Sequence, residues 1–124
     1  MIKIKIITLG RLKEDYLKMA CDEYTKRLSR YCSLETEEIS PVKLPDKPSD
    51  LQIKSALERE AELIKKHIVK DAYTVAFCIE GDGMSSEQFS NLISKTSNSG
   101  KKICFIIGSS YGLDKSIKAL ADIR

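Results

Sequence analysis

Residues 102–113 read Lys-Ile-Cys-Phe-Ile-Ile-Gly-Ser-Ser-Tyr-Gly-Leu. The apolar residues Ile103–Ile107 run without a break up to Gly108, and a second glycine follows at Gly112. A run this short, rich in Ile and Phe, predicts a strand buried on both faces, as in a parallel sheet. The glycine-rich turn falls at the strand's carboxyl end, ahead of a short helical pattern starting near Asp114. In open α/β sheets ligands bind at that edge, because glycines let them approach bare backbone N–H groups and a helix N-terminus. Gly108–Leu113 is therefore the candidate site, and the rest of the chain must say what it binds.

The 124 residues are enough for one domain, 1–124, with a full core and no need of staples. With 42% hydrophobic and 31% charged residues and no tryptophan, the composition is that of an ordinary globular protein. No apolar run approaches the roughly 20 residues needed to cross a bilayer. Met-Ile-Lys-Ile-Lys at the start places lysines inside the first apolar stretch, unlike a signal peptide, so the expected location is the cytoplasm. The cysteines, Cys21, Cys32, Cys78 and Cys104, form no Cys-x-x-Cys pair, and His67 is the single histidine. No metal is expected, and all four thiols are read as reduced. A net charge of +3, from 21 basic against 18 acidic residues, neither demands nor excludes a nucleic-acid partner.

Outward from the key strand, the pattern is βαβαβαβα. Ile2–Leu9 alternates and then turns wholly apolar, which predicts a first strand. Leu17, Ala20, Cys21, Tyr24, Leu28 and Tyr31 recur at helical spacing and predict a helix with one apolar face, its other face carrying Lys18, Lys26, Arg27 and Arg30. Those cations read more simply as a solvated face than as an RNA footprint. Leu34–Ile39, diluted by glutamates, predicts an edge strand. Ser40–Asp50 holds Pro41, Pro45 and Pro48 and reads as a loop. Ser49 or Asp50 can cap the next helix, with its stripe of Ile53, Leu57, Ala61, Ile64 and Ile68. His67 beside that stripe reads as a surface residue near the helix C-terminus. Tyr73–Ile79 predicts a second buried strand, ending in Glu80-Gly81-Asp82-Gly83. Ser85 and Gln88 have capping-box spacing, and the helix they open presents Phe89, Leu92 and Ile93. The last helix carries Ile117, Leu120 and Ala121. The fold class is α/β, a mostly parallel sheet with helices on both faces.

The glycine turns admit three readings. Gly108-Ser109-Ser110-Tyr111-Gly112 matches Gly-x-Ser-x-Gly, the nucleophile elbow of serine hydrolases. That machinery needs an acid and then a histidine later in the chain, and no histidine follows, so a nucleophilic Ser110 is disfavoured. A nucleotide-phosphate loop fails too: neither Gly-x-x-x-x-Gly-Lys nor Gly-x-Gly-x-x-Gly is complete, and Glu80 and Asp82 would repel phosphate. In the third reading Glu80–Gly83 and Gly108–Leu113 leave neighbouring strands and form an apolar, backbone-lined slot with carboxylates at its mouth. Such a slot suits an adenine-like ring with a positive centre. Plain tight turns fit both glycine pairs equally well, and spacing alone does not separate the two.

Four segments resolve the choice by resemblance: Ile-Ile-Thr-Leu-Gly-Arg-Leu-Lys-Glu-Asp-Tyr at 6–16, Glu-Tyr-Thr-Lys-Arg-Leu at 23–28, Cys78–Gly81 with Met84–Glu87, and Phe105–Leu113. At these separations the whole chain resembles the small SPOUT-class methyltransferases that modify N3 of a pseudouridine in large-subunit ribosomal RNA. The resemblance implies a SPOUT-type α/β knot fold, a homodimer, S-adenosylmethionine as methyl donor, and ribosomal RNA or the assembled ribosome as partner. It puts Phe77 and Gly108 at positions that contact the cofactor, with Gly81, Ser109, Gly112 and Leu113 close by, and it assigns no catalytic residue. Members of that family continue for about a strand and a helix past the equivalent of Arg124, carrying a cofactor loop, the knot's completion and much of the dimer interface. The expectation is thus of a C-terminally short chain with an incomplete knot. The alternative is a non-catalytic remnant or binding module that binds cofactor weakly and dimerises poorly.

Overall fold

A computed structural model of the chain describes residues 1–123; Arg124, the last residue of the expected domain, lies outside the described residues. The elements alternate: β1 (Ile2–Leu9), α1 (Asp15–Leu28), β2 (Cys32–Ile39), α2 (Asp50–His67), β3 (Tyr73–Phe77), α3 (Ser86–Asn98), β4 (Ile103–Ile107) and α4 (Lys115–Leu120). The four strands form one all-parallel sheet in the order β2-β1-β4-β3. β4, the all-apolar strand, is central, flanked by β1 and β3, while the glutamate-diluted β2 takes the edge.

Local chemistry sets the helix starts. Ser49 opens α2 and Ser85 opens α3, each through a complete capping box in which Gln52 or Gln88 returns its side chain to the cap N–H. Asp114 caps α4, its carboxylate accepting from the Ser116 N–H at 3.1 Å.

Two cores follow from the strand alternation. On one face Ile7, Leu9, Ala76, Cys104 and Ile106 pack under α2 and α4 through Ala61, Ile64 and Ile117. On the other, Val75, Ile103 and Phe105 pack under Phe89, Leu92 and Ile93 of α3. Alternation of successive helices between faces is what right-handed crossovers require in a sheet of this order.

One expectation needs correction, and two features go beyond the sequence reading. The predicted apolar face of α1 is present but uncovered: no residue of α1 is buried, Leu17, Tyr24 and Leu28 are exposed, and the helix packs beside β2. Periodicity finds an amphipathic face but does not say what covers it. The strand predicted over Tyr73–Ile79 stops at Phe77, and Ile79 is fully exposed, because the chain turns where Gly81 N–H closes onto Cys78 O at 3.1 Å. Finally, the residues after α4 return to the sheet. Asp122 N–H donates to Thr74 O at 2.8 Å, Ala76 N–H donates to Ile123 O at 3.0 Å, and Ile123 bridges Val75 in parallel, so pairing starts along the outer edge of β3. Among the described residues, no helix is long and apolar enough to cross a membrane.

Candidate active site

The parallel register places Phe77 beside Ile107, the last residues of β3 and β4, so the loops that follow leave the carboxyl edge side by side. The β3 loop runs toward α3 and the β4 loop toward α4, on opposite faces of the sheet. The same divergence recurs on the other flank of β4, where Thr8 of β1 pairs with Ile107. Crevices of this kind, at strand ends whose connections part to opposite faces, are where α/β proteins hold their ligands. The 108–113 turn follows β4 and borders the β1-side groove through Ser109–Tyr111.

That turn is tightly built. A Cβ on Gly108 would lie 2.5 Å from the carbonyl oxygen of Gly112 and 2.9 Å from Leu113 Cγ, so only glycine fits. Gly112 has φ +89°, and its N–H donates to Ser109 O at 2.8 Å. Leu113 is buried in the core with Ile117 and anchors the turn from below. The N–H groups of Ser110 and Tyr111, at the tip, have no backbone partner among the described residues.

On the β3 side, a cavity of about 460 Å³ lies between the strand end and α3, lined by Phe77, Cys78, Asp82, Met84 and Phe89. The Phe77 ring stacks on Phe105 with centroids 5.7 Å apart and remains 48% exposed, so its free face is offered at the crevice. Ile107 and Met84 are exposed as well. Of the two carboxylates expected at the mouth, Asp82 lines this cavity, whereas Glu80 is ion-paired to Lys118 of α4. That pair ties the β3 loop to α4 and takes Glu80 up in holding the loops together.

On the β1 side, a larger groove of about 890 Å³ is bounded by Gly10–Lys13, the proline loop, the first turns of α2 and Ser109–Tyr111. Its wall contains Glu60, only 4% exposed, whose Oε2 accepts from the Val42 N–H at 2.9 Å. Sequence reading missed this residue. The signal was there: Glu60 stands three residues after Leu57 and four before Ile64, a carboxylate on the apolar stripe.

The structure thus brings Phe77 and Gly108 to adjoining strand ends, holds Gly81 in the neighbouring turn, and sets Ser109 at the β1-side groove. Gly112 and Leu113 brace the turn through its backbone and the core. Ser110 is exposed, and His67 lies 3.2 Å from Glu37 of β2, with no histidine bonded to the serine among the described residues. The hydrolase triad is absent there. Nor is there a cluster of three or more His, Cys, Asp or Glu side chains able to hold a metal among the described residues.

An all-parallel α/β sheet with cavities at its carboxyl edge and a glycine turn beside one of them defines a binding class in which small organic cofactors and their co-substrates sit at that edge. Comparison with known proteins narrows that class. The family described as "Predicted SPOUT methyltransferase" matches residues 2–124. The chain is 44% identical over 123 residues to a ribosomal RNA large subunit methyltransferase H of Streptococcus equi subsp. zooepidemicus, covering 98% of this chain and 77% of the relative. It is 44% identical over 120 residues to the protein of that name from Caldicellulosiruptor bescii, covering 97% of this chain and 76% of the relative. The counterpart in Streptococcus sanguinis is 42% identical over 123 residues, 98% of this chain and 77% of the relative. The chain belongs to the SPOUT methyltransferase family, and it is an enzyme of that class.

Proposed function

We propose that this chain, as one domain over 1–124, transfers the methyl group of S-adenosylmethionine to a base nitrogen of large-subunit ribosomal RNA, with N3 of a pseudouridine as the acceptor. The observation that carries the reading is the match over residues 2–124 to SPOUT methyltransferases and to relatives named for large-subunit ribosomal RNA. The cavity between the end of β3 and α3 fits the donor chemically. Phe77 and Met84 give apolar surface for an adenine ring, and Asp82 on the same cavity gives a carboxylate that complements a sulfonium or ammonium.

Phe77, Gly81, Gly108, Ser109, Gly112 and Leu113 are accordingly assigned to the cofactor site. Phe77 packs on the ring, Gly108 and Ser109 border it through backbone, and Gly81, Gly112 and Leu113 fix the shape of the two turns. When bound, the cofactor supplies an electrophilic methyl group on a cationic sulfur. The imide N–H of the acceptor is weakly acidic, so the protein's main contribution is alignment and exclusion of water. Its expected place of action is the cytoplasm, where ribosomes are found. A homodimer is supported by the exposed apolar face of α1, because a stripe containing Leu17, Tyr24 and Leu28 is a candidate for cover by a second copy.

The test is incubation of the protein with isotopically labelled S-adenosylmethionine and large ribosomal subunits, followed by nucleoside mass spectrometry. A labelled methylpseudouridine is expected. Label in other nucleosides alone, or none in RNA, contradicts the proposal.

A further inference from the structure

The groove on the β1 side of the 108–113 turn has a composition that cofactor binding leaves unexplained. Its floor is apolar, from Leu9, Ile39 and Leu57; its rim carries Arg11 and Lys13, and Tyr111 stands at its edge, 49% exposed. Into this wall is set the carboxylate of Glu60, nearly buried in a helix stripe where an aliphatic residue would pack with less desolvation. Only Oε2 is used, by the Val42 N–H, and Oε1 has no hydrogen-bond partner among the described residues. Arg11 and Lys13 are exposed and form no ion pair among the described residues, while Glu38 is the one exposed carboxylate on the same rim.

A ligand matching these features has a flat apolar ring, at least one N–H donor and flanking anionic groups. An unstacked pyrimidine base in an RNA strand has all of them, and proteins hold such bases by aromatic stacking and edge hydrogen bonds. We propose that this groove seats the acceptor base, with Glu60 accepting an imino N–H of the base, Tyr111 packing against its ring and Arg11 and Lys13 meeting the neighbouring phosphates. The inference rests on the methyltransferase reading above and deepens it. Donor and acceptor then sit on the two flanks of β4, at its carboxyl end.

The position of Glu60 carries a specificity. Pseudouridine has N–H groups at both N1 and N3, whereas uridine has only the latter. With N3 directed to the donor, N1–H is left for Glu60, and a uridine offers no N–H at that position. Sites built to hydrogen-bond one group discriminate strongly against the analogue that lacks it. Glu60→Gln is the informative change. The Gln carbonyl can keep the Val42 N–H, which preserves the loop, and its NH₂ then replaces an acceptor with a donor in the groove.

The experiment is titration of a short single-stranded RNA carrying one pseudouridine, and of its uridine counterpart, into the ¹⁵N-labelled protein. Amide shifts are expected at Gly10, Arg11, Val42 and Ser109–Tyr111, with pseudouridine bound about 10-fold or more tighter than uridine. Glu60→Gln should bring that ratio close to 1. Arg11→Ala, at an exposed site where folding is not at risk, should weaken both RNAs alike and reduce the salt dependence by about one phosphate contact. Unchanged discrimination in Glu60→Gln, shifts confined to the Phe77–Met84 crevice, or no binding would overturn the groove assignment. S-adenosylmethionine binding, followed at Phe77 and Gly108 in the same samples, separates this failure from failure of the methyltransferase reading. A protein that binds the cofactor but shows no Glu60-dependent selectivity loses only the groove assignment.

Discussion

At the scale of single residues, Gly108 has the least latitude. An added methyl group meets backbone atoms of Gly112, at 2.5 and 2.7 Å, which cannot swing aside like a side-chain tip. Gly108→Ala should cost about 1–3 kcal/mol in chemical denaturation, the usual range for overpacking. Gly83→Ala, with nothing within 4 Å of its Cβ, should be close to neutral. Asp114 carries a pH signature. Its hydrogen bond from the Ser116 side chain, above all, holds its carboxyl below the usual range, with the Ser116 N–H and nearby lysines adding to the effect. A carboxyl lowered on folding stabilises the protein above its unfolded pKa of about 3.9, and that stability is lost as pH falls through the folded value. Asp114→Ala should therefore cost about 1 kcal/mol near neutral pH, as for other lost caps, with the difference from the parent shrinking in acid. The cysteines differ by burial. Burial pushes the Cys104 thiol up, so Cys21, exposed on α1, should alkylate first under native conditions, with Cys104 protected until unfolding. Gly108 was legible in the sequence because a glycine directly after an apolar run has few other uses. Glu60 was passed over because a glutamate in a charged helix looks solvated until its place on the apolar stripe is counted.

Among the elements, those with both a period and punctuation were read correctly. The strand at 2–9 and the helices opened by Ser49 and Ser85 match because apolar alternation, capping boxes and prolines all pointed the same way. The end of β3 was overrun, since Cys78 and Ile79 extend the apolar run and only the turn closed by Gly81 stops it. For α1 the period was right, and its apolar face is left uncovered. Its apolar face contributes little to the stability of the chain described. Leu17→Ala should accordingly cost less than about 1 kcal/mol, against about 2–5 kcal/mol for Ile117→Ala, which empties a fully buried position. Sedimentation of the same Leu17→Ala variant tests the dimer: a shift toward monomer is expected if α1 is the interface, and an unchanged oligomer would move the interface elsewhere.

For the whole molecule, the order β2-β1-β4-β3 turns an ordinary sequence of alternating elements into a site with two sides. The alternation of elements was legible along the chain, but the strand order was not, because nothing local in β1 or β3 says which strand lies beside it. Function was less legible still. Gly-x-Ser-x-Gly led toward a hydrolase and then failed for want of a histidine, and the slot between the turns could not be told from plain turns by spacing. Four segments taken together, and then the match over residues 2–124, decided the class. The central claim is that the cavity at the end of β3 holds a methyl donor. Its most direct measurement is calorimetric titration of S-adenosylmethionine into the protein and into Phe77→Ala, whose ring is half exposed and whose loss should leave the fold intact. The account predicts saturable binding at one site per chain, weakened about 10-fold, or 1.4 kcal/mol, by the substitution. No binding, or binding indifferent to Phe77, would contradict it.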